Sequence, residues 1–106
     1  MITIEDFSKI HLVAATVKKI EEHPRADRLY LLTVDLGGEE RSLVAGIRDF
    51  YSPEDLIGKQ LVVVENLEPA VIRGVESRGM ILAGASGQDL SLVTMDREIA
   101  PGTPIS

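Results

Sequence analysis

The chain has 106 residues, no cysteine and a formal net charge of −6. A single domain of that length buries a working core without staples, and the missing cysteines exclude a disulfide framework and thiolate metal sites. The acidic balance, taken alone, argues against nucleic acid, because phosphate binding draws on lysine and arginine.

The distribution of charge softens that exclusion. Residues 1–30 carry as many basic as acidic groups, whereas acids outnumber bases two to one over residues 31–106. Lys18, Lys19, Arg25 and Arg28 lie close together in sequence. Such a cluster is either a solvated rim or an electrostatic footprint. The N-terminal MITIEDFSKI places acids where a secretory signal needs bases, and the longest strongly apolar run, Leu61 to Val64, is far too short to cross a bilayer. A cytoplasmic, soluble protein is expected.

In chain order, Thr3-Ile4-Glu5-Asp6 has the form of a capping box opening one helical turn that ends near Ser8 or Lys9. A strand follows from Leu12. Val13, Ala15 and Val17 alternate, but the next apolar residue is Ile20, and a slip of one residue is what a β-bulge produces. His23-Pro24 ends that strand. A second strand covers Leu29 to Leu36, with Tyr30, Leu32, Val34 and Leu36 on one face. Gly37-Gly38 makes a tight hairpin, and a third strand runs from Arg41 to Ile47. Ser52-Pro53-Glu54-Asp55-Leu56-Ile57-Gly58 reads as a short helix, with serine capping, proline first, acids at the positive end and glycine stopping it. Gln60 to Glu65 is the fourth strand, Met80 to Ala85 belongs to the fifth, and Leu90 to Met95 is a further hairpin arm. Ala100 to Pro104 is a turn-rich tail.

Three meandering strands, a short helix and two more strands are the order of an all-β, five-stranded OB-fold Greek-key barrel. The whole chain is expected to be one domain. Residues 1–10 and 86–106 extend that barrel without a core of their own, which predicts that they pack on a second copy.

The search for catalytic chemistry is short. There is no GxGxxG, no GxSxG and no Walker loop, and His11 and His23 lack the paired spacing of a helical metal site. No enzyme activity, cofactor or metal is expected. Single-strand binders of this fold present stacking aromatics. Here Phe7 sits on the N-terminal turn and Phe50-Tyr51 lead into the helix, so any RNA is expected to be read by backbone and folded shape.

Four stretches then carry a resemblance: HPRADRLYLLTVDLG (23–37), LVAGI (43–47), YSPEDLIGKQLVVVENLEP (51–69) and GVESRGMILA (74–83). Together they resemble the tRNA-binding OB domain appended to bacterial methionyl-tRNA synthetases and to synthetase cofactors such as endothelial-monocyte-activating polypeptide. That domain also occurs inside the phenylalanyl-tRNA synthetase β chain and as a free-standing protein. The resemblance implies a cytoplasmic homodimer that holds the outer corner of L-shaped tRNA without strong sequence preference, beside or attached to an aminoacyl-tRNA synthetase. It places Ser77 and Met80 at the tRNA-contacting surface, makes Arg28 the basic residue of its ADRL motif, and lets Asn66 open its NLxP turn. The candidate tRNA-binding residues are Lys18, Arg25, Arg28, Asn66, Arg73, Ser77, Arg78 and Met80. For two of them a plainer reading stays open: Met80 as core filling and Asn66 as a stabiliser of its own turn.

One segment departs from the family. Where a basic run such as KPRKI is usual, this chain has Glu68-Pro69-Ala70-Val71-Ile72. Each lost phosphate contact lowers the salt slope by about 0.9. The alternative is therefore a dimeric interaction or chaperone-like protein of the same fold with a weakened RNA surface.

Overall fold

A computed structural model describes residues 1–106. Its main sheet is a curled antiparallel half-barrel of the OB type. The first element is a single helical turn, α1 (Ile4–Phe7). Its capping box forms as expected: the Thr3 hydroxyl accepts from the Asp6 N–H at 3.1 Å, and the Asp6 carboxylate accepts from the Thr3 N–H at 3.3 Å. The turn buries none of its residues.

Strand β1 (Leu12–Glu22) serves two neighbours. Its first half pairs with β4 (Gln60–Val64), and its second half with β2 (Tyr30–Asp35). The expected bulge falls between Val17 and Lys19, where Val17 faces Val34 but Lys19 faces Thr33. Lys18 is the extra residue, and the bend it produces lets one strand feed both parts of the barrel. β2 alternates as its sequence demands, with Tyr30, Leu32 and Val34 buried, and it pairs with β3 (Glu40–Ala45).

Helix α2 (Pro53–Leu56) inserts Leu56, which is fully buried, into the aliphatic core formed with Leu32, Leu43, Leu61 and Val63. The Asp55 carboxylate accepts from the Ser52 N–H at 3.2 Å and from its hydroxyl at 2.9 Å. Those bonds hold its pKa below the usual aspartate value.

Beyond β4 the structure departs from the sequence-based expectation. Residues 70–77 form a separate hairpin, β5 (Ala70–Ile72) with β6 (Val75–Ser77), which the sequence did not predict. The expected fifth strand is divided. β7 (Met80–Ile81) joins β4 in the main sheet, giving the order β3-β2-β1-β4-β7. β8 (Ala83–Ser86) leaves it to pair with β9 (Asp89–Leu92). The tail adds β10 (Pro104–Ile105) on Leu12 and Val13, the half of β1 that β2 leaves unpaired.

No ladder joins β3 to the far end of the sheet. The seam is closed instead through the end of β6. The buried Ser77 hydroxyl accepts from the Val44 N–H at 3.0 Å and donates to the Gly79 carbonyl at 3.2 Å, and the Arg78 N–H donates to the Ser42 carbonyl at 3.0 Å.

Candidate nucleic-acid interface

OB barrels present ligands to the face of strands 2 and 3 and to the loops joining strands 1–2 and 4–5. Here the first loop is residues 23–29. The second is the excursion from Glu65 to Gly79 that contains the β5–β6 hairpin. The basic residues of these loops are Arg25 and Arg28 on the first and Arg73 and Arg78 on the second, all four exposed.

Most of the chain's cations are already answered by carboxylates. Lys9 pairs with Asp6, Arg41 with Glu39, Arg48 with Glu22 and Arg97 with Asp96. Lys19 lies 2.6 Å from Glu21, whose hydrogen bond and charge raise the lysine pKa. Arg28 faces Asp49 at 3.5 Å, a pair exposed on both sides and therefore worth little. Arg25, Arg73 and Arg78 have no carboxylate partner, and neither do Lys18 and Lys59.

The two loops touch. His23, which sequence spacing left as an isolated histidine, is buried between them. Its Nδ1 accepts from the Arg25 N–H at 3.0 Å, and its Nε2 lies 3.2 Å from the Ile72 carbonyl on the hairpin. The Arg25 guanidinium lies against Gly74, where an added β-carbon would stand 3.0 Å from Nη1. Nothing in the sequence pairs residues 49 positions apart, so this link was not legible there.

The other candidates lie elsewhere. Lys18 sits at the β1 bulge, beside the Gly58–Lys59 turn that bonds Val17 on both sides. Asn66 reaches the N-terminal segment, accepting from the His11 N–H at 2.9 Å and donating to the Lys9 carbonyl at 2.7 Å. It clips the end of β4 to the segment after α1, and its side chain serves that junction in place of its own turn. Met80 is 49% exposed, so its core reading does not hold. It lines an apolar depression with Phe7, Ile10, Leu67 and Leu82, and no arginine lines that depression.

Ser77 is spent inside the fold. Removing its hydroxyl leaves the Val44 N–H unpaired, and Ser77→Ala is expected to cost about 1–3 kcal/mol of stability. Met80→Ala, at an exposed position, is expected to stay within about 1 kcal/mol of wild type. Denaturant melts of the two variants check both values, and equal losses would contradict the seam.

The sequence profile of the family described as a putative tRNA binding domain matches residues 12–104. The chain belongs to this putative tRNA-binding domain family. Members of this tRNA-binding domain family are non-catalytic binding modules. The methionine–tRNA ligase of Thermotoga maritima is 51% identical over 105 residues, covering 99% of the chain and 17% of the ligase. That of Pyrococcus furiosus is 45% identical, covering 98% of the chain and 14% of the ligase. The tRNA-binding domain thus spans about a seventh to a sixth of the ligases it matches. Two solved structures match it along nearly their whole length. A MetRS-related protein from Pyrococcus horikoshii is 34% identical with a TM-score of 0.93, covering all of this chain and 98% of that one. The chaperone CsaA of Bacillus anthracis is 35% identical with a TM-score of 0.92, covering all of this chain and 99% of that one.

Proposed function

We propose that this tRNA-binding domain works in the cytoplasm as a homodimer. It holds folded tRNA through its backbone, with little preference among tRNAs, beside or attached to a methionyl-tRNA synthetase. The observation that carries the reading is the set of three arginines, Arg25, Arg73 and Arg78, left without carboxylates on two loops of a chain whose net charge is −6. Arg28 adds a charge held only by an exposed ion pair. Lys18, Asn66 and Met80 lie outside the contact of the two loops and belong to the reading as flanking positions. Ser77 contributes by fixing the Arg78 backbone. A second attachment point raises the local tRNA concentration at the synthetase without any new catalytic contact.

The dimer reading rests on the apolar surface around α1. A helical turn with no fully buried residue has little tertiary packing to stabilise it, and most helices depend on such packing. Ile4, Phe7, Ile10, Leu67, Met80 and Ile105 surround two adjoining depressions there. An isologous contact would cover both at once.

Gel-shift titration with total tRNA at two salt concentrations tests the function. Binding is expected at low salt, weakening by about 0.9 in log–log slope per phosphate contacted. An unstructured RNA of equal length is expected to compete poorly. Equal competition sinks the shape reading. The chaperone-like alternative is favoured by the likeness to CsaA and by the same apolar surface. Suppression of aggregation of an unfolded protein, with no tRNA shift, would select it.

A further inference from the structure

Arg73 is the only residue other than glycine with a left-handed backbone, at φ +51°. With Gly74 at φ +84° it fills the two-residue turn between Ile72 and Val75, which pair across the hairpin. Two successive positive φ values are the signature of a type I′ turn, whose first central position favours asparagine, aspartate or glycine. Any β-carbon crowds the following carbonyl there, and arginine lacks the short polar side chain whose local hydrogen bonds offset that cost in asparagine and aspartate. Backbone strain kept at one surface position points to what its side chain does.

The neighbouring loop meets this strained tip. His23 donates from Nε2 to Ile72, the residue before Arg73, while its Nδ1 accepts from the backbone of Arg25. The Arg25 guanidinium rests on Gly74, the residue after Arg73. Two guanidinium-bearing residues are thus brought to one turn, and neither has a carboxylate partner. Like charges gathered without a counter-charge suit a single shared anion, and the planar fork of arginine suits a phosphate.

We propose that Arg25 and Arg73 clamp one phosphodiester group of the bound RNA, with buried His23 as the positioning residue that sets their spacing. The proposal rests on the tRNA-binding reading. It differs from two independent phosphate contacts in a measurable way, because the salt slope counts phosphates neutralised rather than arginines present.

Gel shifts with total tRNA over a series of salt concentrations, run beside thermal melts, test the clamp. Arg73→Asn is expected to melt about 4 °C higher, through relief of the turn, and to bind tRNA about tenfold more weakly. The double variant Arg25→Ala with Arg73→Asn is expected to lose about 0.9 of slope in total. A loss near 1.8 would mean two separate phosphates and overturns the shared clamp. His23→Asn keeps an acceptor for the Arg25 N–H, as an Asx-turn does, but falls short of Ile72. It is expected to bind about fivefold more weakly, whereas His23→Gln, whose amide reaches the Nε2 position, restores binding to within about twofold. Equal binding by the two His23 variants removes histidine from the mechanism. A wild-type chain that binds tRNA beside an Arg73→Asn chain that binds equally well sinks the clamp alone. A wild-type chain that shifts no tRNA at low salt sinks the proposed function, and the clamp with it.

Discussion

Gly79→Ala is expected to destabilise the domain by about 2–5 kcal/mol, the sum of backbone strain and overpacking. Gly79 has φ +131°, a conformation that side chains rarely adopt. An added β-carbon would stand 3.1 Å from the Leu43 Cδ2, 3.1 Å from the Val64 carbonyl oxygen and 3.3 Å from the Val63 Cγ1. Two of those contacts are packed core side chains and the third is backbone, so any relief must shift the core or the strand. The Gly79 carbonyl also accepts the Ser77 hydroxyl, so the seam and the clash meet at the same residue. Gly38→Ala is the control, because its φ of +102° carries strain while no atom lies within 4 Å of the new carbon. Thermal melts of the pair separate strain from crowding. A Gly79→Ala variant no less stable than Gly38→Ala would show that the strands do not approach closely at the seam.

Phe7→Asp is expected to raise the dimer dissociation constant about 100-fold or more, the scale of losing an aromatic anchor at the centre of an interface. Phe7 borders both apolar depressions, so a carboxylate there would be desolvated in any contact that covers them. Sedimentation equilibrium at micromolar concentration is the check. The wild-type chain is expected at twice its 11.5 kDa mass and the variant at the single mass. A variant that remains dimeric places the interface elsewhere, and a monomeric wild type removes the dimer altogether. Affinity for tRNA should fall with dissociation, because a dimer offers two arginine surfaces to one RNA.

How much of this was legible in the sequence follows from the range of each signal. Caps and turns are local, so Thr3 with Asp6, Ser52 with Asp55 and the Gly37-Gly38 hairpin were readable where they stood. The strict alternation of Tyr30, Leu32 and Val34 marked the inside of β2, and its failure after Val17 marked the bulge. The β5–β6 hairpin escaped because its three-residue strands are mostly exposed, with Val71 at 73%, and carry no buried face to set a period. Met80 to Ala85 looked like one strand because its side chains stay mostly apolar through the point where the backbone changes sheets. At the interface, the arginines were visible as charges, but their freedom from carboxylates was not. The roles of Ser77 and His23 depend on partners 33 and 49 residues away, and no periodicity encodes a hydroxyl standing in for a strand.

That substitution has a consequence for how the domain can vary. A ladder of paired backbones counts residues, and inserting one residue flips every side chain beyond it to the other face. A hydroxyl and one amide across the seam impose no such count. The excursion between Asn66 and Ser77 can therefore lengthen, shorten or exchange its tip while Leu43 and Ile81 keep their places against the core. Such freedom would let a lineage retune the segment proposed to meet the ligand without renegotiating the fold that carries it.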